Sequence, residues 1–179
     1  EYGIRHYLYL DRIANIAKGN PRLAIMVAEV AKEKDTLDSI NDVSGLYDSY
    51  FMSIRQDLGE LGDANLLKTA GIVAFFRVID RTNEEIMDAV EEAFGISPEI
   101  MWESVNRLHN MEMVGIYEDE APRVSDQVLA TYLFYLAFFK ESVLEFSKLL
   151  EVFFPEHRQR LIDALNPVME AFDTQTLMD

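Results

Sequence analysis

Apolar residues recur at helical spacing along nearly the whole chain, and this pattern limits the possible folds most strongly. Between residues 23 and 31 they fall at the i, i+3, i+4 and i+7 positions that form one buried stripe on a helix. Comparable stripes predict further helices over 4–18, 42–58, 66–79, 82–94, 98–112, 125–139, 141–154 and 156–172, the last two joined through Pro155. Because 49% of the 179 residues are apolar, the stripes suffice for a hydrophobic core. We therefore expect a mainly α fold.

Two helix starts are marked by residues that favour capping. Thr82 is followed three residues later by Glu85, which is the spacing of a capping box. Ser97 is a favoured N-cap residue, and Pro98 is favoured in the first helical turn. We expect helices to begin at both places.

One segment is typical of a β-hairpin. Val114–Tyr117 and Arg123–Val124 flank an acidic turn over residues 118–122. Three predicted helices precede it, which is the element order of a winged helix-turn-helix. Gly59 to Asp63 interrupts the helical pattern and marks a domain boundary. The prediction is a small helical bundle over 1–60, a winged-helix domain over 61–139 and C-terminal helices over 140–179.

The composition excludes several classes of function. The chain has 32 acidic and 16 basic residues, a net charge of -16, which disfavours attraction to nucleic acid or anionic lipid. It has no cysteine, so neither thiol catalysis nor a cysteine-based zinc site is available. The most apolar run, Val128–Phe139, is too short for the roughly 20 residues of a membrane span. Nothing near Glu1 is typical of a signal peptide, and we expect a piece of a longer cytoplasmic protein.

No residue pattern predicts a catalytic or metal site. The three histidines, His6, His109 and His157, are far apart in the chain and lack metal-ligand spacing. The carboxylate pairs Glu84–Glu85 and Glu91–Glu92 are compatible with acid–base chemistry, but the solvated face of a helix explains them better. The phosphate-binding and nucleophile motifs with fixed glycine spacing are missing from the sequence.

The segment Gly19-Asn20-Pro21-Arg22 has two interpretations. Gly19 suits the end of one helix, Asn20 the cap of the next and Pro21 its first turn, so helix capping alone accounts for the segment. The same bend points the free N–H groups of a helix start outward beside Arg22, which is what a nucleotide phosphate requires. The residues alone leave both interpretations open.

Residues 16–26, Ile-Ala-Lys-Gly-Asn-Pro-Arg-Leu-Ala-Ile-Met, resemble the G-x-P motif of STAND-class signalling ATPases, the AAA+ relatives that include NACHT and NB-ARC proteins. In that family the motif lies in a helical lid domain, its Pro touches the adenine side of the nucleotide, and a winged helix follows. The resemblance implies that Gly19, Asn20, Pro21 and Arg22 contact nucleotide, with Pro21 against the base and Arg22 or the helix start toward phosphate.

A second segment, residues 124–129, lies where the NB-ARC branch has its Met-His-Asp motif. Asp126 matches that motif, while Ser125 stands in the position of the phosphate-contacting His. The resemblance thus adds Ser125 and Asp126 to the nucleotide-contacting set. The alternative is that Ser125 only caps the helix that follows.

Taken together, the resemblance implies the regulatory lid and winged helix of a STAND-like P-loop ATPase. The lid would close over ATP or ADP held by an upstream ATPase core, its main partner, and the protein would assemble into a homo-oligomer on activation. Residues 140–179 would begin a helical sensor region. We expect no nucleotide to bind these 179 residues alone, because they lack a phosphate-binding loop and metal ligands.

Two alternatives come from other classes: a winged-helix transcription regulator that binds DNA, and a structural protein-interaction module. DNA binding requires positive charge against the phosphates. The helix in the DNA-reading position, 98–112, carries Glu99, Glu103 and Glu112 against Arg107 alone, and residues 118–120 at the wing tip are all acidic. We therefore expect both surfaces to repel a duplex.

Overall fold

The structure is a computed structural model that describes residues 7–17, 21–34, 43–60, 63–124 and 126–172. Its elements are α1 (Tyr7–Ala17), α2 (Pro21–Lys34), α3 (Val43–Tyr50), α4 (Met52–Glu60), α5 (Ala64–Phe76), α6 (Glu84–Phe94), α7 (Pro98–Asn110), β1 (Val114–Tyr117), β2 (Ala121–Val124), α8 (Gln127–Tyr135), the π-helical turn Leu136–Lys140 and α9 (Phe146–Ala171). The prediction of a mainly α fold with one short hairpin is confirmed. The chain divides into two compact units, Glu1–Asp57 and Leu58–Asp179, with the boundary inside α4.

The first unit is built around α2, which packs against α1 and α3. Its predicted stripe is confirmed, since Met26, Val27 and Val30 are buried. The single helix predicted over 42–58 is wrong, because α3 and α4 are separate helices that meet at Phe51. Hydrogen bonds from Phe51 N to Tyr47 O and from Arg55 N to Phe51 O continue across the junction, so it is a local bend in the helical path.

The centre of the second unit is α5, in which every residue from 69 to 76 is buried. The helix was predicted to reach Ile79 but ends at Phe76, because Arg77 has a left-handed φ of 62°. The chain then runs extended: Ile79 N donates to Pro122 O at 3.4 Å, and Arg81 N donates to Glu120 O at 3.1 Å. These bonds place residues 79–81 along β2.

The helix-turn-helix follows directly. Asn83 caps α6 through a 3.1 Å bond from Ile86 N, so the predicted capping box that begins at Thr82 is wrong. Thr82 instead donates its hydroxyl hydrogen to Asp80. The left-handed Gly95 ends α6, and the predicted Ser97–Pro98 start of α7 is confirmed, with Ser97 as the N-cap.

The predicted hairpin is confirmed, with β1 and β2 antiparallel and Val114 opposite Val124. Its loop is shorter than predicted, because Ala121 and Pro122 belong to β2. The order of helix, extended segment, helix, turn, helix and hairpin is that of a winged helix-turn-helix. In this arrangement α5 packs against both α7 and β2.

The C-terminal elements close the core of this unit. In place of one helix from Ser125 to Phe139, α8 passes into the π-helical turn. The next helix begins at Phe146, later than predicted, and its two parts meet at His157, which has non-helical torsions, while Pro155 lies inside the helix. α9 packs on α5, α6 and α8. An aromatic cluster fills this contact: Phe75, Phe76, Phe94, Phe134, Phe138 and Phe153.

The backbones of α5 and the π-helical turn approach each other closely. A Cβ atom added to Gly71 would lie within 3.0 Å of the Ala137 Cβ, nearer than real Cβ atoms come. The absence of a side chain at Gly71 thus permits this helix contact. Among the described residues, no helix is both long enough and apolar enough to span a membrane.

Candidate functional site

The exposed surface of the helix-turn-helix and wing is the best-defined candidate site. α7 turns one face to the core, where Met101, Ser104, Val105 and Leu108 are buried. Its opposite face is polar and exposed at Glu99, Glu103, Asn106 and Asn110. A DNA-reading winged helix would place this face in the major groove.

The electrostatics of that face are unfavourable for DNA. Glu99 accepts hydrogen bonds from its own backbone N–H and from Ser97, which lower the pKa of its carboxyl group and keep it ionised. Arg107 is the one Lys or Arg in α7, and it forms an ion pair with Asp63. Asp63 also caps α5 by accepting from Asn65 N at 2.9 Å, so the guanidinium of Arg107 is held toward α5 by a residue that is itself fixed. The carboxylates that α7 exposes carry charge of the same sign as a DNA backbone, and the opposition of this helix to DNA stays a prediction.

The wing tip is acidic and exposed. Glu118 and Asp119 have φ angles of 53° and 58°, and Glu120 N donates to Tyr117 O at 3.1 Å, which closes the turn. Positive φ at both central residues is the requirement of a type I′ turn. Three carboxylates therefore project at the end of the hairpin.

An apolar groove runs between α7 and the extended segment 79–81. It has a volume of about 310 Å³ and is lined mainly by apolar side chains: Ile79, Met87, Pro98, Met101, Trp102, Val105 and Pro122. Arg81 and Glu99 complete its lining. The guanidinium carbon of Arg81 lies 4.4 Å from the centre of the Trp102 ring, within the range of a cation–π contact. We call this feature the Trp102 groove.

A second cavity of about 340 Å³ lies between α6 and α9 and includes His157 and Glu85. The His157 ring packs edge-on against Phe76 at 5.6 Å and lies 6.0 Å from Phe153. Its contacts are therefore those of the aromatic core. In the part of the chain that the structure describes, there is no group of three or more His, Asp or Glu side chains that could hold a metal ion.

The predicted nucleotide-contacting residues fall in both units. Pro21 is the first residue of α2 and is exposed, and Arg22 follows it in the same helix. Gly19, Asn20 and Ser125 lie outside the described residues. Asp126 caps α8, accepting from Val128 N at 2.7 Å and from Leu129 N at 3.1 Å. The cap of this helix is thus Asp126, which gives that carboxylate a structural role.

The carboxylate pairs singled out in the sequence are solvent-facing, as the solvated-face interpretation predicts. Glu84, Glu85, Glu91 and Glu92 are all exposed on α6. The Trp102 groove is not among the features predicted from the sequence. The one available signal was the single tryptophan of the chain, four residues after Pro98 and so on the same side of the helix.

In comparisons with known proteins, no family model, curated protein or solved structure matches the chain.

Proposed function

We propose that the chain is the regulatory lid and winged-helix part of a STAND-like P-loop ATPase, in which the winged helix contacts protein rather than DNA. The observation that carries this proposal is a helix-turn-helix fold whose exposed helix face and wing tip are acidic. Such a surface opposes phosphate but remains suited to packing against a basic protein surface. The upstream ATPase core is the partner proposed here.

The start of α2 is compatible with a nucleotide. Pro21 occupies the first turn of a 14-residue helix, its ring is exposed, and that turn contains no acidic residue. The positive end of the helix can therefore meet a phosphate without opposition from a local carboxylate. The Pro21 ring would supply an apolar surface against the base, and the helix start would face phosphate.

The proposed mechanism is a nucleotide-dependent switch. The lid and winged helix would pack on the ADP-bound core and move away when ATP binds and the protein assembles. A ligand shifts such an equilibrium only by contacts that differ between the two arrangements. Pro21 would make its contact in the closed arrangement and lose it in the open one.

The test uses the full-length protein and the release rate of a fluorescent ADP analogue. Pro21→Ala removes the ring that would face the base, and we expect release to become faster by about fivefold, equivalent to about 1 kcal/mol of lost contact. Pro155→Ala is the matched control, because Pro155 is also an exposed proline within a helix but belongs to α9, outside the α7 surface proposed to meet the core. We expect this control to release ADP at the wild-type rate.

Two results would overturn the proposal: an intact polypeptide without a phosphate-binding loop ahead of these residues, or equal ADP release from both variants and the wild type. Calorimetry on the 179 residues alone should give no ATP binding. Gel-shift titration with duplex DNA should give no tight complex with a steep salt dependence, and such a complex would instead indicate a transcription regulator.

A further inference from the structure

We propose that the Trp102 groove is a docking site for a basic amphipathic helix of a partner protein. The groove lies in the winged helix, and binding in it would not require a nucleotide. The inference rests on the protein contact of the proposed function and specifies its chemistry, because Glu99, Glu103 and the wing tip belong to the acidic surface for which a basic protein partner is proposed above.

The lining of the groove is suited to apolar anchors. Pro98, Trp102 and Val105 lie along one side of α7, and Ile79 and Pro122 come from the paired extended segments. Met87 and Met101 add flexible, polarisable side chains that adapt to different occupants. A volume of about 310 Å³ is at the lower end of the range for binding pockets, enough for one or two large side chains.

The charge around the groove selects a cationic occupant. Residues 79–124 contain twelve Asp and Glu against three Arg, a net charge of -9. Glu99 is part of the lining, and Glu103 lies one turn further along the exposed face of α7. The bond from Arg81 N to Glu120 O brings the acidic wing tip beside the groove. A helix with apolar residues on one side and Lys or Arg on its flanks complements this surface.

Arg81 indicates how the groove would recognise such a partner. Its guanidinium lies over the Trp102 ring, so the ring already accepts a cation from the protein itself. An incoming Lys or Arg would compete with Arg81 for the same ring face. Removing the Arg81 side chain should therefore strengthen binding.

The test measures binding of a labelled amphipathic Leu/Lys peptide of about 18 residues, long enough for a helix. Fluorescence anisotropy gives the affinity, and Trp102 gives a signal from the groove because it is the only tryptophan in the chain. A Leu/Glu peptide controls for charge, and a Ser/Lys peptide controls for apolar contact. We expect the Leu/Lys peptide alone to bind and to change Trp102 emission.

Two pairs of variants locate the peptide. Arg81→Ala should bind about threefold more tightly. Arg123→Ala, an equal charge change on the neighbouring strand, should leave the affinity unchanged at about 150 mM salt. Arg123 is exposed, whereas its neighbour Pro122 points into the groove.

The second pair tests the acidic residues beside the groove. The double variant Glu99→Gln/Glu103→Gln should bind the peptide about fivefold more weakly, as expected for the loss of two partly screened ion pairs. Glu91→Gln with Glu92→Gln makes the same charge change on exposed positions of α6 that do not line the groove, and it should have no effect. Circular dichroism of each variant checks that the fold is intact.

The proposal is overturned if the Leu/Lys peptide fails to bind, if the Ser/Lys peptide binds equally well, or if either pair of variants has equal effects. Duplex DNA that changes Trp102 emission more strongly than the Leu/Lys peptide would also overturn it, in favour of nucleic-acid binding. Because no nucleotide is present, these outcomes leave the test of ADP release unaffected.

Discussion

Substitution of Gly71 by alanine sets two effects of opposite sign against each other. In the interior of an exposed helix, Gly→Ala stabilises by about 1 kcal/mol through helix propensity. At Gly71 the new methyl group would meet the Ala137 Cβ within 3.0 Å, against an ordinary contact of about 4 Å. Both residues are in the core, and Ala137 is fully buried.

The steric effect should exceed the propensity effect. The nearest atom belongs to a Cβ fixed to its backbone, so the contact is relieved only if α5 and the π-helical turn move apart by about 1 Å. Overpacking of this kind costs about 1–3 kcal/mol, and the separation would also loosen neighbouring contacts. We expect Gly71→Ala to lower the free energy of unfolding by about 1–2 kcal/mol.

A compensating substitution at Ala137 tests the steric cause directly. Ala137→Gly removes the opposing methyl group, after which the nearest atom to a Gly71→Ala methyl is Leu144 Cδ1 at 3.2 Å, the far end of a side chain and not an atom fixed to the backbone. The double variant should therefore be more stable than the sum of the two single effects predicts, by about 2 kcal/mol. Urea unfolding followed by circular dichroism measures all four proteins of the cycle.

Gly115→Ala is the matched control. A Cβ atom there would meet Tyr117 Cε2 at 3.6 Å, which is ordinary contact, and the position needs no left-handed backbone. This variant should be as stable as the wild type or more so. If Gly71→Ala were equally stable, or if Ala137→Gly failed to rescue it, the close approach of the two backbones would not govern the stability of this contact.

Three further predictions concern single polar groups. Thr69 Oγ1 is buried without a hydrogen-bond partner among the described residues, so Thr69→Val should raise the free energy of unfolding by about 1 kcal/mol; a loss in urea unfolding would contradict this. Asp126→Ala should lose about 1 kcal/mol as the cap of α8, while Asp126→Asn, which retains the acceptor, should lose less than half as much in the same assay. The Thr82 hydroxyl and backbone N–H lower the pKa of Asp80, so the stability linked to that carboxylate is present at neutral pH and lost as the pH falls through its folded-state pKa. In Thr82→Val the Asp80 pKa, followed by NMR titration, should rise toward its ordinary value, and an unchanged pKa would refute the role of the hydroxyl.

The periodic parts of this fold could be predicted from the sequence because their signal is local. The stripe of α2 and the Ser97–Pro98 start of α7 each depend on residues within one element, and the hairpin depends on two strands that adjoin in the chain. The errors arose where two local options competed. Thr82 is as good a cap as Asn83, but its hydroxyl bonds to Asp80, and this leaves Asn83 to cap α6.

Other features depend on contacts between distant residues. Ile79 continues an apolar helical pattern, but pairing with β2 more than 40 residues later draws it into an extended segment. The Trp102 groove likewise requires α7, residues 79–81 and β2 to be brought together. Periodicity describes one helix at a time and so cannot reveal a surface assembled from three elements.

The wing tip has acidic residues at two positions where other residues would make the turn more stable. Glu118 and Asp119 hold a left-handed backbone that glycine or asparagine would adopt with less strain, at a cost of about 1 kcal/mol for each residue. An Asn-Gly loop should therefore give a more robust hairpin that carries two fewer negative charges. Because the hairpin would remain folded in this variant, a loss of partner binding could be assigned to the two missing carboxylates and not to a disordered wing.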